Sequence, residues 1–194
     1  MDQKTIIVEL EKINQAVLSC QKCPLSWTRH NPVFGQGHPQ AKIIFVGEAP
    51  GFNEDQTGQP FCGAAGQVFD RLLNSVGLNR NQIYITNILK CRPPNNRDPQ
   101  LDEIKACTPY LEKQIELINP QIICPLGRHS MKFIMEKYGL QDYTQGISKI
   151  HGKIFQVGNL FENHIIIPFY HPAVATYNQN MFPVLEKDFQ ILKN

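Results

Sequence analysis

The stretch Ile43-Ile44-Phe45-Val46-Gly47-Glu48-Ala49-Pro50-Gly51 decides the fold. Four consecutive apolar residues predict a strand buried on both faces. Two glycines and a proline then force the chain into a sharp turn, with the carboxylate of Glu48 at its start. In an open parallel α/β sheet, ligands bind at the carboxyl ends of the strands. Three later segments repeat the plan, each an apolar run ending in polar or turn residues: Ile83–Asn87, Ile122–Gly127 and Ile165–His171. If these strands are parallel neighbours, Glu48, Asn87 and His171 converge on one rim.

Working outward, apolar residues at Ile6, Ile7, Leu10, Ile13 and Val17 predict a helix over 3–19. Helices are also expected at 64–76, 98–118 (Asp98 as N-cap, Pro99 at the first helical position, Leu101 facing inward), 128–138 and 183–193. Strands are expected at 42–47, 83–87 and from 121. Two more are expected at about 149–157 and 164–170, flanking Gly158-Asn159. The loops 20–40 and 48–63 and the stretch Lys90–Arg97, with two prolines, carry little regular structure. This alternation predicts a mostly parallel sheet covered on both faces, in one domain spanning 1–194.

The 194 residues carry a net charge of only +2, which neither demands nor excludes a nucleic-acid partner. The N-terminal residues lack a signal-peptide core, and no apolar run is long enough for a membrane span, so a cytoplasmic chain without membrane attachment is expected. Disulfides are therefore not expected from the six cysteines. Cys20 and Cys23 form a C-x-x-C, Cys91 follows the second strand, and Cys107 lies sixteen positions later. Four thiolates suit one tetrahedral zinc or an iron–sulfur cluster; the split second pair favours a cluster. Simple burial of the four thiols is the alternative. Cys62 and Cys124 read as packing residues.

At the rim, Glu48 suits an acid, a base, a metal ligand or an acceptor for loop N–H groups. Asn87 suits a turn cap, or an amide whose donor and acceptor pair with the O4 and N3–H edge of uracil. Phe61 is a core residue or a flat face for a base. His171 is a satisfied core histidine or a donor to an oxygen gaining charge. Lys90, Arg92, Arg97, Arg128, His129, Lys149 and Lys153 are expected around the same rim, either solvated or against phosphates. Two rival readings are a metal-stapled DNA-binding module and a flavodoxin-like nucleotide hydrolase. The second lacks a phosphate-cradling glycine loop.

Together the motifs Gly47-Glu48-Ala49-Pro50-Gly51, Gly58-Gln59-Pro60-Phe61, Thr86-Asn87 with Lys90-Cys91-Arg92-Pro93-Pro94, Pro125-Leu126-Gly127 and His171-Pro172-Ala173 resemble the family 4 uracil-DNA glycosylases, iron–sulfur enzymes of thermophilic type. The resemblance spans nearly the whole chain. It implies a three-layer α/β/α sandwich around a four-stranded, mostly parallel sheet. It also implies hydrolysis of the uracil N-glycosidic bond in single- or double-stranded DNA by a monomer, with an abasic site as product. Cys20, Cys23, Cys91 and Cys107 would bind a [4Fe–4S] cluster. Phe61 would stack on the flipped base, Asn87 read its pairing edge, and His171 stabilise charge on its O2. Glu48, with the backbone at Gly47 and Ala49, would form the catalytic pocket, and Glu54 would crowd the thymine methyl. Ala49 stands where family 1 enzymes carry a water-activating aspartate, so that mechanism is not copied directly. The loop after Phe61 lacks the basic, histidine-bearing insertion of a related product-trapping group, so turnover is expected. Met181 or Phe182 would pack, or wedge into the duplex.

Overall fold

A computed structural model of the chain describes residues 2–158 and 163–193. Its elements run α1 (Gln3–Leu18), β1 (Gln36–Gly37), β2 (Ile43–Gly47), α2 (Phe52–Thr57), α3 (Ala64–Ser75), β3 (Tyr84–Asn87), α4 (Leu101–Ile118), β4 (Ile122–Pro125), α5 (Arg128–Lys137), α6 (Ile147–Ile150), β5 (Phe155–Gly158), β6 (Asn163–Ile166), α7 (Val174–Tyr177) and α8 (Phe182–Phe189). The expected four-stranded sheet is a mixed sheet of six strands, in the order β1-β3-β2-β4-β6-β5. The inner four, β3, β2, β4 and β6, are parallel. The two short outer strands, β1 and β5, run antiparallel and cap the edges.

The sheet separates two cores, as the alternation of side chains along β2 dictates. Ile44 and Val46 face a core built with Ile6 and Leu10 of α1, Leu111 and Ile115 of α4, and Ile134 of α5. Ile43 and Phe45 face the opposite core, with Phe69 and Leu72 of α3 and Leu185 and Phe189 of α8. The result is three layers, helices on both faces. The chain leaves β2 to build β3 on one side and β4 on the other, so the carboxyl end of β2 is the topological switch point at which such sheets bind ligands.

Several local expectations are corrected. The N-cap of α4 is Gln100, in a capping box with Glu103, whereas the Asp98 carboxylate turns away to Arg128. Leu101 is exposed because Glu103, bonded to Arg97, takes the buried position in the first turn. The strand expected from 149 starts at Phe155, and Ile147–Ile150 forms a helical turn. Asn159, part of the turn expected at Gly158-Asn159, lies outside the described residues. The loop 48–63 contains α2, started at Gly51 with its capping box closed by Glu54.

Candidate active site

The ends of β2 and β3 are locked side by side. Gly47 pairs with Asn87 in parallel register, and the ladder continues past both, with Ile88 N–H donating to Gly47 O and Leu89 N–H to Glu48 O, each at 3.0 Å. Asn87 is buried, and its Oδ1 is the one buried side-chain nitrogen or oxygen among the described residues without a hydrogen-bond partner. A buried unpaired amide oxygen costs about 1–3 kcal/mol. Here it faces a cleft of about 270 Å³, lined also by Glu48, Glu54, Phe61, Asn96 and His171. An orphan acceptor in a cleft is suited to a ligand that brings an N–H.

Phe61 forms one wall. Its backbone lies in the left-handed region, at φ 51°, which a bulky residue rarely adopts. Arg80 holds it there, donating to Pro60 O at 2.9 Å and Phe61 O at 2.6 Å while paired with Asp70 at 2.7 Å. Gly66 makes room for this turn, since a Cβ there would stand 1.7 Å from Phe61 O. The Phe61 ring lies 5.4 Å from that of His171, tilted by 28°.

His171 follows the strip that pairs Phe169 with Leu126 beyond β6 and β4, and packs against Gly127. The Ala173 N–H donates to His171 Nδ1 at 3.2 Å, so the ring proton of the neutral form sits on Nε2. Burial pushes the His171 pKa down to about 4, against a smaller opposing pull from Glu54. His171 is thus a neutral imidazole with one N–H to donate.

Glu54 accepts from Gly51 N–H through Oε2 and from Cys62 and Gly63 N–H through Oε1, at 3.1, 3.0 and 3.2 Å. It ties the loop carrying Phe61 to the start of α2. Burial raises the Glu48 pKa. The His129 and Arg128 charges pull it back, and Asp98 adds to the rise. The structure therefore brings Gly47, Glu48, Ala49, Glu54, Phe61, Asn87 and His171 to one place. Asn96, also at the pocket and in left-handed backbone, and the Arg80–Asp70 brace went unnoticed in the sequence. The two prolines ahead of Asn96 were the available signal for it.

The basic rim needs correction. Lys90 is fully buried, with Nζ donating to Thr86 Oγ1, Asn87 O and Gln114 Oε1 at 2.6, 2.8 and 2.7 Å. It braces the backbone of Asn87 from behind and cannot meet a phosphate. Arg97 is engaged by Glu103 and Arg128 by Asp98. Lys149 and Lys153 are exposed. Met181 and Phe182 pack against the α3/α8 core, Phe182 beneath the Arg71 guanidinium, while Tyr177 projects into solvent.

A second cavity is lined by all four candidate ligands, Cys20, Cys23, Cys91 and Cys107. Arg29 Nη1 donates to Cys91 Sγ at 3.0 Å and the Lys90 N–H to Cys107 Sγ at 3.1 Å, contacts that favour thiolates. Tetrahedral zinc, with Zn–S near 2.3 Å, would draw the sulfurs to about 3.8 Å apart. Among the described residues the only set with ligand atoms all within 4.8 Å of one another is Glu48, Asp98 and His129, not the thiols. The wider spread suits a multi-iron group. Cys124 is buried in β4 and Cys62 sits against Thr57 Oγ1, as packing residues do.

An orphan amide oxygen, a flat ring and a neutral imidazole line one cleft, and comparison with known proteins gives the family. Residues 34–193 match the uracil DNA glycosylase superfamily. The chain is 50% identical over 185 residues to a type-4 uracil-DNA glycosylase of Sulfurisphaera tokodaii, covering 95% of this chain and 83% of that one. It is 44% identical over 181 residues to one from Archaeoglobus fulgidus, covering 93% and 90%. A type-5 enzyme of Thermus thermophilus is more distant, at 27% over 166 residues, covering 69% and 75%. The chain therefore belongs to the uracil-DNA glycosylase superfamily and, within it, to the type-4 uracil-DNA glycosylases. It is a DNA glycosylase of repair, a hydrolase that releases uracil. Among the described residues no helix is long and apolar enough to cross a membrane.

Proposed function

We propose that the cleft takes a uracil flipped out of DNA, and that Phe61, Asn87, His171 and Glu48 read and release it. The observation that carries this reading is the unpaired Asn87 Oδ1 at the cleft floor. Uracil N3–H donates to that oxygen, and Asn87 Nδ2–H donates to uracil O4. Cytosine would set an acceptor against Oδ1 and a donor against Nδ2, so it is rejected. Phe61 stacks on the base, worth about 1–3 kcal/mol. Glu54 fixes the Phe61 loop and closes the side of the cleft where a thymine methyl would project.

The C1′–N1 bond breaks with its electron pair passing to the base. Charge gathers on uracil O2, where His171 Nε2–H donates; one such donor is typically worth about 3–4 kcal/mol. A neutral donor suffices, and the low pKa of His171 keeps it neutral. Water adds to C1′ as its proton passes to the Glu48 carboxylate. The uracil anion then takes up a proton, Glu48 gives its proton back to solvent, and the products are free uracil and an abasic site. Ala49 cannot take that proton, which leaves Glu48 as the base at the turn.

Cys20, Cys23, Cys91 and Cys107 would hold a [4Fe–4S] cluster, whose part is to join chain segments rather than to meet the base. Cys20 and Cys23 follow α1, Cys91 follows β3 and Cys107 lies in α4, so the group staples a loop with little regular structure to the segment leading from Asn87. The chain acts as one domain and as a monomer on single- or double-stranded DNA in the cytoplasm. The test is incubation of pure protein with an end-labelled uracil-containing single strand, followed by alkali. Strand cleavage at the uracil position is expected; an intact strand would leave only a DNA-binding module.

A further inference from the structure

In the loop after α1, Arg29 turns its guanidinium to a thiol. Nη1 donates to Cys91 Sγ at 3.0 Å and to Val17 O at 3.4 Å, and Nη2 donates to Leu18 O at 2.8 Å. The side chain is half-buried and lines the cavity of Cys20, Cys23, Cys91 and Cys107. Arg80, Arg97 and Arg128 each pair with a carboxylate. Among the described residues no carboxylate accepts from Arg29; its acceptors are two carbonyl oxygens and a sulfur. A guanidinium stays charged in proteins, and a desolvated cation without a counter-charge is costly. A four-thiolate group of net negative charge in the cavity supplies that counter-charge.

We propose that Arg29 is a positioning residue for the iron–sulfur cluster: its hydrogen bond holds the Cys91 thiolate in place, slows the loss of iron and raises the reduction potential of the group. Partners outside the ligands orient them and tune the metal. A charged donor on a ligand sulfur favours the reduced, more negative form of a cluster. The guanidinium is held to this task from both sides. Val17 and Leu18 end α1, whose last turn has no basic residue, so Arg29 brings from outside the cation that a helix C-terminus favours. The two residues after it are anchored to α2, with His30 N–H donating to Asp55 Oδ1 and Asn31 N–H to Asp55 O, each at 3.0 Å. Lys22 lines the same cavity, but its ammonium lies over the Tyr110 ring, 4.8 Å from the centroid.

This role rests on the four cysteines holding the cluster, as proposed above, and the experiment separates the two ideas. Iron-loaded wild type, R29K, R29M and K22M, matched in iron content, are compared in three ways: iron release to a ferrous chelator, the midpoint potential of the cluster by voltammetry, and the thermal midpoint. R29M should release iron about 10–100-fold faster than wild type, with the potential shifted to a more negative value. R29K keeps the charge but loses the planar fork, so it should fall between the two; it also serves where R29M takes up no iron. K22M should stay near wild type in iron release and potential. Wild-type iron release and potential in R29K and R29M, whatever their thermal midpoints, overturn the proposal and leave Arg29 as a cap for α1. A shift in K22M as large as in R29M also overturns it, because charge without the hydrogen bond would then carry the effect. Wild-type protein that purifies without iron and sulfide overturns the cluster itself, and the role of Arg29 with it.

Discussion

Asn87 reaches across Gly47. The two face each other in the register of β3 and β2, and a Cβ built on Gly47 would stand 2.2 Å from Asn87 Oδ1 and 3.0 Å from the Phe61 ring. The absence of one side chain lets the amide and the aromatic wall sit over the same cleft. Gly47→Ala should therefore turn Asn87 out of the pocket. The expected result is uracil release about 10–100-fold slower, with weaker discrimination between uracil and cytosine and a modest change in thermal midpoint. Kinetics on matched uracil and cytosine strands check this.

Phe61 holds a backbone conformation it would not choose, because Arg80 bonds its carbonyl and Asp70 fixes Arg80. Strain of this kind costs about 1–3 kcal/mol and persists only while its surroundings enforce it. Arg80→Met should free the loop. Uracil release should fall by roughly tenfold, while affinity for DNA already carrying an abasic site stays close to wild type, since that ligand has no base for Phe61 to meet. An equal loss in both would make Arg80 a general structural residue.

The depressed pKa of His171 has a consequence for stability. The folded protein refuses a proton on His171 until about pH 4, whereas the unfolded chain accepts one near 6.5. Between those values the unfolded state binds more protons, so stability from this group rises with pH, is complete above about 6.5, and is lost as pH falls towards 4. Urea unfolding from pH 4 to 7 should show a shallower pH dependence in His171→Gln than in wild type. Identical slopes would mean that His171 titrates alike in both states.

Replacing one thiol tests the staple. Cys107→Ser should lose bound iron and visible colour, and should unfold at lower temperature, whereas Cys62→Ser should keep both. Iron retained by Cys107→Ser, or lost equally by Cys62→Ser, would contradict the ligand set.

Much of this site was legible in the sequence because strand ends announce themselves. Apolar runs ending at Glu48, Asn87, Gly127 and His171 predicted the four inner strands of the parallel sheet. The longer helices α1, α3, α4, α5 and α8 were legible from their spacing, to within a few residues, whereas the short α2, α6 and α7 were not. What was missed depends on partners far along the chain. Lys90 reads as one of several cations near two prolines; only the fold shows it enclosed by Thr86, Gln114 and the Asn87 carbonyl. Asp98-Pro99 is a sound local start signal, but pairing with Arg128, thirty positions on, outweighed it. Arg80 and Asp70 have no motif at all. The edge strand β1 escaped because it is two residues long, and β5 was expected to begin too early, since the apolar stretch before it becomes a helical turn first.

The most direct test of the central claim, that the Asn87 amide reads the base, is excision from matched strands carrying uracil or cytosine by Asn87→Asp. The carboxylate keeps the shape but loses the Nδ2–H that uracil O4 requires, and in its protonated form it can meet cytosine. Uracil release should fall by about 100-fold or more, with measurable release of cytosine. Uracil release at the wild-type rate, with cytosine still untouched, would contradict the account.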